Sequence, residues 1–305
     1  CSTDILPVRT GPDADRKYLL HFLRTPGMVG HASNLATGAN LPRLSPRALA
    51  EFPIPLPPIE EQRRIAAVLD AADALRAKRR QAIAKIDTLT QAIFIDMFGD
   101  PLTNPKGWSD GRILGDVAEA RSGITKGRKT GDTSLTPVPY LAVVNVQDGF
   151  IQMEPLKSID ATQAEIDRYQ LLGGDILLTE GGDPDKLGRG AVWTAPVDPC
   201  IHQNHVFRVR VTDDAITAQF LSRLLGSSRG KRYFLRMAKQ TTGIASINMT
   251  QLRAFPILEP PLSLQQEYLI RISELIQHRD VALRSESGFD TLFASLQQRA
   301  FRGEL

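Results

Sequence analysis

Phe52-Pro53-Ile54 returns as Phe255-Pro256-Ile257, and this offset of 203 residues constrains the fold more than any other feature of the chain. The same shift lays Pro57-Pro58 on Pro260-Pro261, Gln62 on Gln265, Leu89 on Leu292 and Phe98 on Phe301. Upstream, with slips of one or two residues, YLLHFL at 18–23 falls on FLSRLL at 220–225 and DILPVR at 4–9 on HVFRVR at 205–210. The Thr-Gly stretch from Thr37 answers that from Thr242. A repeat on this scale makes each copy one structural unit, read here as strand, short helix, Thr-Gly loop, proline-rich hinge and long helix. Residues 108–200 have no counterpart in the first copy, so the chain reads as one and a half repeats that lack roughly the first 95 residues of copy one.

Each hinge opens into a long helix. Between 59 and 98 no proline or glycine interrupts a segment rich in Ala, Arg, Gln, Ile and Leu, which predicts a rod of roughly 60 Å. Prolines are tolerated in a first helical turn, Glu60 and Glu61 suit the positive end of the dipole, and Gly99 supplies the stop. Alternating steps of four and three give Ile65, Leu69, Ala72, Arg76, Arg79, Ile83, Ile86, Thr90, Ile93 and Met97. The same steps 203 residues on give Tyr268, Ile272, Leu275, Arg279, Ala282, Glu286, Phe289, Phe293, Leu296 and Ala300.

This is a coiled-coil seam with a polar middle. Either each helix is the core of its own domain or the two pair with each other. Pairing is favoured, because so long a helix outruns a compact domain unless it bridges something. The repeat makes such a pair antiparallel, with Ile65, Leu69, Ile83, Ile86, Ile93, Tyr268, Ile272, Leu275, Phe289 and Leu296 as its apolar interface.

Between 108 and 255 the pattern changes to short apolar runs separated by turn residues, such as VPYLAVVNV, GDILLTEGGD, GAVWTA and HVFRVRV. These predict the strands of a mixed α+β domain, with helices at 163–169 and 218–237. The 305 residues suffice for two domains, and 42% apolar content argues against wholesale disorder. No apolar run approaches the length that spans a bilayer, so no membrane segment is expected. The chain opens on Cys1 in CSTDILPVR, without the pattern of a signal peptide, and reads as a fragment or a processed chain. Two cysteines, Cys1 and Cys200, make no disulfide framework, and a cytoplasmic location is the default.

Net charge is only +3, but it is unevenly spread. No acidic residue occurs from 215 to 258, where Arg223, Arg229, Lys231, Arg232, Arg236, Lys239 and Arg253 fall. Such a run fits either a solvated helix face or a polyanion-binding surface. SGITKGRK at 122–129 fits both an anion-binding loop, with Lys126, Arg128 and Lys129, and an ordinary surface loop. TEGGDPDKLGRG at 179–190 lacks the phosphate-loop pattern and carries acids, which argues against a nucleotide site; Lys186 and Arg189 instead suit a DNA groove. His202 and His205 in HQNH would face opposite sides of a strand, so no metal site is expected, and a structural role is favoured for this segment. Signatures of amino methylation, nucleotide hydrolysis, zinc proteolysis and serine hydrolysis are absent, so no catalytic residue is expected.

IPLPPIEEQRRIAAVLDAADAL at 54–75, FGDPLTNPKGW at 98–108, LGDV at 114–117, GDILLTEGG, HQNHVFRVR at 202–210 and the closing LQQRAFRGEL together resemble the DNA-specificity subunit of type I restriction-modification systems. The resemblance covers essentially the whole chain. It implies an α+β fold of target-recognition domains joined by two long antiparallel coiled-coil helices in a pseudo-twofold repeat. In that scheme 1–56 is the remnant of a first recognition domain, 57–98 the first spacer helix, 99–258 a second recognition domain and 259–305 the second spacer helix. It also implies double-stranded DNA, methyltransferase (modification) subunits and, through the complex, a restriction subunit as partners. S-adenosylmethionine and ATP with magnesium are then expected in partner subunits, with no cofactor and no metal in this chain.

Candidate DNA contacts are Thr125, Lys126, Arg128, Lys129, Lys186, Arg189, Arg229, Lys231, Arg232, Arg236, Lys239, Gln240 and Thr241. The basic run is expected mainly on phosphates, with Lys126, Arg128, Lys186, Arg189, Gln240 and Thr241 as candidate base readers. The chain departs from the family in holding only the last 55 or so residues of a first recognition domain, and in having Leu264-Gln265-Gln266 where the first hinge has Glu61-Gln62-Arg63. A rival expectation is a truncated structural adaptor that assembles partner subunits without touching DNA.

Overall fold

The computed structural model describes residues 5–37, 43–128, 131, 134–241 and 243–305. It divides into two compact units, Cys1–Thr88 with Leu275–Leu305, and Leu89–Glu274. The division cuts both long helices rather than following their ends.

In the first unit, α1 (Arg16–Leu23), α2 (Pro26–Leu35) and α3 (Pro46–Ala50) precede α4 (Ile59–Phe98). Asp15, Thr25 and Ser45 cap the three short helices through their side-chain oxygens, and the second and third helices begin on proline. Tyr18 is buried and donates its hydroxyl to the Pro55 carbonyl at 2.8 Å. Lys17 and His21 both reach Asp70 on α4, at 2.6 and 2.8 Å. The expected strand at 4–9 does not form over its described residues 5–9, which are exposed and pair with no strand among the described residues. A lone extended segment leaves its backbone groups to water, whereas its repeat equivalent pairs on both sides.

The second unit begins with α5 (Leu114–Val117), β1 (Ala118–Ser122), β2 (Thr136–Leu141), β3 (Lys157–Ala161) and α6 (Gln163–Tyr169). Next come β4 (Ile176–Thr179), β5 (Gly181–Gly182), β6 (Gly190–Val192), β7 (Ile201–His202) and β8 (Val206–Val211). It closes with α7 (Ala218–Leu225), α8 (Ser228–Met237), β9 (Lys239–Thr241), β10 (Ile244–Ser246), α9 (Met249–Arg253) and the start of α10 (Leu262–Ala300).

An antiparallel sheet of order β1-β8-β4-β6 is the largest; β3-β2-β7 and β5-β10-β9 are the smaller ones. Leu141, Leu177, Trp193, Cys200 and Val206 make one core cluster, and Ile124, Tyr140, Ile166 and Ile201 another. The single helix expected over 218–237 is two. Ser227 turns its hydroxyl onto the Leu224 carbonyl at 2.6 Å, and Gly230 lets the new helix cross so closely that a Cβ there would lie 1.8 Å from the Leu225 carbonyl oxygen.

Helix α4 stops where its composition says it should. Gly99 adopts φ +79°, and the last carbonyls receive side-chain donors from the NPKGW stretch, Lys106 Nζ on Met97 and Trp108 Nε1 on Phe98, both at 2.8 Å.

Within the first unit, α4 and α10 run antiparallel. Ile65, Ala66 and Leu69 pack against Ala300, Phe293 and Leu296, Arg76 pairs with Asp290 at 2.6 Å and Arg279 with Asp87 at 3.5 Å. The polar middle of the seam is filled by arginines lying over aromatic faces, Arg76 at 4.5 Å from the Phe293 ring and Arg79 at 5.6 Å from Phe289. Within the second unit the end of α4 meets the start of α10, with Phe98 and Phe94 edge-on to Tyr268 at 5.4 and 5.5 Å. Ile65, Leu69, Tyr268 and Ile272 are buried; Ile83, Ile86, Ile93, Leu275, Phe289 and Leu296 are half-buried.

The hinge repeat has a side-chain basis that its proline content hides. Gln62 is fully buried, and its Oε1 accepts the Asp15 N–H at 2.8 Å while its Nε2 donates to the carbonyls of Asp13 and Pro57 at 2.9 and 2.8 Å. Gln265 repeats this on Thr217 N–H, Ala215 and Pro260, each at 2.9 Å. Asp15 caps α1 and Thr217 caps α7, so in each unit one glutamine ties the proline hinge to the cap of the short helix before it.

Candidate nucleic-acid interface

The loop after β1 is pinned at both ends. Ile124 is buried, its N–H donates to the His202 carbonyl at 2.8 Å, and its own carbonyl accepts from Asn204 N–H at 2.9 Å. Gly123 must be glycine here, since a Cβ would lie 1.9 Å from the His202 oxygen. Thr125 and Lys126 project from this anchor into solvent.

Arg128 is placed differently from expectation. It gives two donors to Glu165, both at 2.5 Å, and one to the Asp160 carbonyl at 3.0 Å. Glu165 belongs to the capping box of α6 with Thr162, so the guanidinium is spent holding the loop to a helix start and has little left for a base. Lys129 lies outside the described residues.

Arg128 holds the Glu165 carboxyl down at about 2, against an ordinary 4.5. A depressed carboxyl contributes stability that is complete above the unfolded value and drains as pH falls through the folded one. The gap in unfolding free energy between the parent chain and Glu165→Gln is therefore expected to be widest above about pH 4.5 and to close towards pH 2. Denaturant titrations at stepped pH measure it, and a gap independent of pH would show that the pair contributes no linkage.

In the 179–190 turn, Lys186 pairs with Asp183, and half-buried Arg189 reaches Gln147 Oε1 at 3.3 Å. On α8, Arg229 also departs from expectation. Its side chain is 14% exposed, donates to the Pro256 carbonyl at 3.2 Å and pairs with Asp110 at 3.2 Å, so it staples the helix to the segments around it. Lys231 reaches Asp148 at 3.4 Å. Arg232, Arg236 and Lys239 are exposed and make no ion pair among the described residues. Gln240 and Thr241 lie in the β9–β10 hairpin opposite Ala245 and Ile244; their side chains lie outside the described set.

His202 and His205 do not converge. His202 is buried with Nδ1 at 2.8 Å from the Val206 carbonyl, and burial pushes its pKa down to about 4. His205 is on the surface beside Glu180 at 2.7 Å. Among the described residues no group of three or more His, Cys, Asp or Glu is arranged to hold a metal ion. No helix of the described residues is long and apolar enough to cross a membrane.

Reading along the chain missed one grouping. A cleft of about 550 Å³ is lined by Arg121 and Ser122 at the end of β1, Gly123, Arg168 and Tyr169 at the end of α6, and Met249 and Arg253 of α9, with Ala120. Its arginines are far apart in sequence, so no local charge run announces them.

These features define a class, the repeat-built α+β proteins with two long helices and a sheet-bearing unit. Residues 1–86 and 105–282 match the family model described as the type I restriction modification DNA specificity domain, and the chain belongs to that family. It is 25% identical over 304 residues to the type I restriction enzyme StySPI specificity subunit of Salmonella potsdam, and 23% identical over 308 residues to the EcoKI specificity subunit of Escherichia coli strain K12. Each comparison covers 94% of this chain and 65% of the relative, so the chain spans somewhat less than two thirds of their length. The crystal structure of the type I restriction-modification system S subunit from M. genitalium shares the fold, at 15% identity and a TM-score of 0.55 over 95% of this chain and 73% of that one.

Proposed function

We propose that the chain is a DNA-recognition component of a type I restriction-modification complex, in which residues 99–258 read one part of a bipartite site without carrying out the chemistry themselves. Family membership across both units carries the reading. Arg232, Arg236 and Lys239, which make no ion pair among the described residues, and the projecting Lys126 support it, since polyanion affinity comes from cations not already neutralised within the fold. In this reading methyltransferase subunits dock on the long helices, whose outward residues include the repeat-related pair Leu89 and Leu292, both about half exposed. S-adenosylmethionine and ATP would belong to those partners and to a restriction subunit.

Anisotropy of a labelled duplex with the 305-residue chain is expected to show affinity falling steeply with salt. Arg232→Gln/Arg236→Gln/Lys239→Gln should make the log–log slope shallower by roughly 2–3. A parent chain with no salt-sensitive DNA binding would instead favour the adaptor role.

A further inference from the structure

We propose that the arginine cleft of the second unit is a seat for the phosphodiester backbone of DNA, with Arg121, Arg168 and Arg253 holding phosphate oxygens at a place separate from α8. The proposal rests on the reading of this unit as a DNA-binding module and names a surface for it.

Charge is the first observation. The register Glu119↔Arg210 and Arg121↔Arg208 puts three arginines and Glu119 on one face of the β1–β8 pair. Arg210 takes both oxygens of buried Asp175 at 2.7 Å, while Glu119 is shared between Arg121 and Arg208. Among the described residues Arg168 and Arg253 make no ion pair and no carboxylate lines the cleft. Three of the five arginines therefore share two carboxylates, and the other two have none among the described residues.

Arg208 lies opposite Arg121 across the β1–β8 pair, with its side chain only 4% exposed and its Nε lacking any hydrogen-bond partner among the described residues. A buried cation that is incompletely neutralised raises the positive potential around its neighbour Arg121, which favours an anion there.

Preorganisation is the second. Arg253 is braced by an N–H on the Ala120 carbonyl at 2.7 Å, and Arg168 lies 5.5 Å from the Tyr169 ring. A guanidinium so held loses less freedom when its remaining donors meet phosphate oxygens. Between them, Ser122 and Gly123 leave the floor without bulk, and the close approach of Gly123 to the His202 carbonyl keeps that floor in place. The space exceeds what one inorganic phosphate fills. Phosphate-ester chemistry could also come from a free mononucleotide, so the test separates the two sources.

The full chain and its Arg121→Gln/Arg168→Gln variant would be titrated onto a random-sequence duplex of about 30 base pairs across roughly 50–300 mM salt. Arg63→Gln/Arg271→Gln, two exposed arginines paired within their own helices, serves as the charge-matched control. The expected result is a slope shallower by about 2 in the cleft variant, with affinity lost equally on every sequence, and no change in the control beyond its small net-charge effect. Arg253 stays intact because it also holds the fold. If the double variant unfolds, Arg168→Gln alone should lower the slope by about 1.

A parent chain that binds with steep salt dependence and a cleft variant with the same slope would overturn this site while leaving the DNA reading intact. No binding by the parent would remove both. Saturable binding of adenosine monophosphate, lost in the cleft variant while the DNA slope stays put, would assign the cleft to a free nucleotide and overturn the proposal.

Discussion

Replacing Gln265 by leucine is expected to destabilise the second unit by about 3 kcal/mol or more. Leucine nearly matches the volume, so little of the loss comes from packing. It comes from the buried bond to the Pro260 carbonyl and the part-buried ones to the Thr217 N–H and the Ala215 carbonyl, all made by this one fully buried side chain and none replaceable by leucine. Stranding a buried donor or acceptor costs about 1–3 kcal/mol each, although such losses do not simply add. Gln265→Glu should do no better, since a carboxylate oxygen would then face two carbonyls where an amide now donates. Gln62→Leu should act alike on the first unit. Chemical denaturation of each variant measures the loss, and a cost below about 1 kcal/mol would mean that the clamp contributes little.

Phe220→Ala is expected to cost about 3–5 kcal/mol, the range for truncating a buried aromatic ring. Phe220 lies 4.9 Å from the Phe98 ring and 5.7 Å from Phe94, and those two close on Tyr268. Its removal would open a void between α7 and the end of α4, in the layer from which that helix enters the unit. Phe220→Leu, which refills part of the space, should recover more than half of the loss. In the first unit Tyr18 stands at the equivalent place, 5.2 Å from Phe301, with its hydroxyl on Pro55. Tyr18→Phe should therefore cost only about 1 kcal/mol, the value of that hydrogen bond. Equal costs for Phe220→Ala and Phe220→Leu in thermal or denaturant unfolding would mean that the layer collapses around the missing ring.

The features legible in the sequence are those that depend on a residue and its near neighbours. The bounds of α4 follow from where prolines end and Gly99 begins. The seam follows from apolar spacing, and the hinge equivalence follows from the repeat. The strand expected at 4–9 is not formed over 5–9 because its pattern matches β8 while its neighbours do not: β8 lies between β1 and β4, and residues 5–9 pair with no strand among the described residues. The break between α7 and α8 was missed because Gly226-Ser227 is a weak stop on its own; the crossing of Gly230 over Leu225 makes it necessary.

Charge was the least legible property. Lys and Arg were identifiable as cations, but whether each was free or already used depended on residues far away in sequence. Arg128 is held by Glu165, 37 positions on, and Arg229 by Asp110, 119 positions back. Arg121, Arg168 and Arg253 converge only because β1, α6 and α9 meet.

By itself, then, the sequence determined the repeat, the two long helices and their seam, because helix propensity and periodicity are local and the same signals occur twice. Only the tertiary structure decided which cations remain for a partner, because neutralisation acts through space. It also turned Gln62 and Gln265 from matched letters into clamps, since three hydrogen bonds to one amide require the hinge and the helix cap to be brought together first.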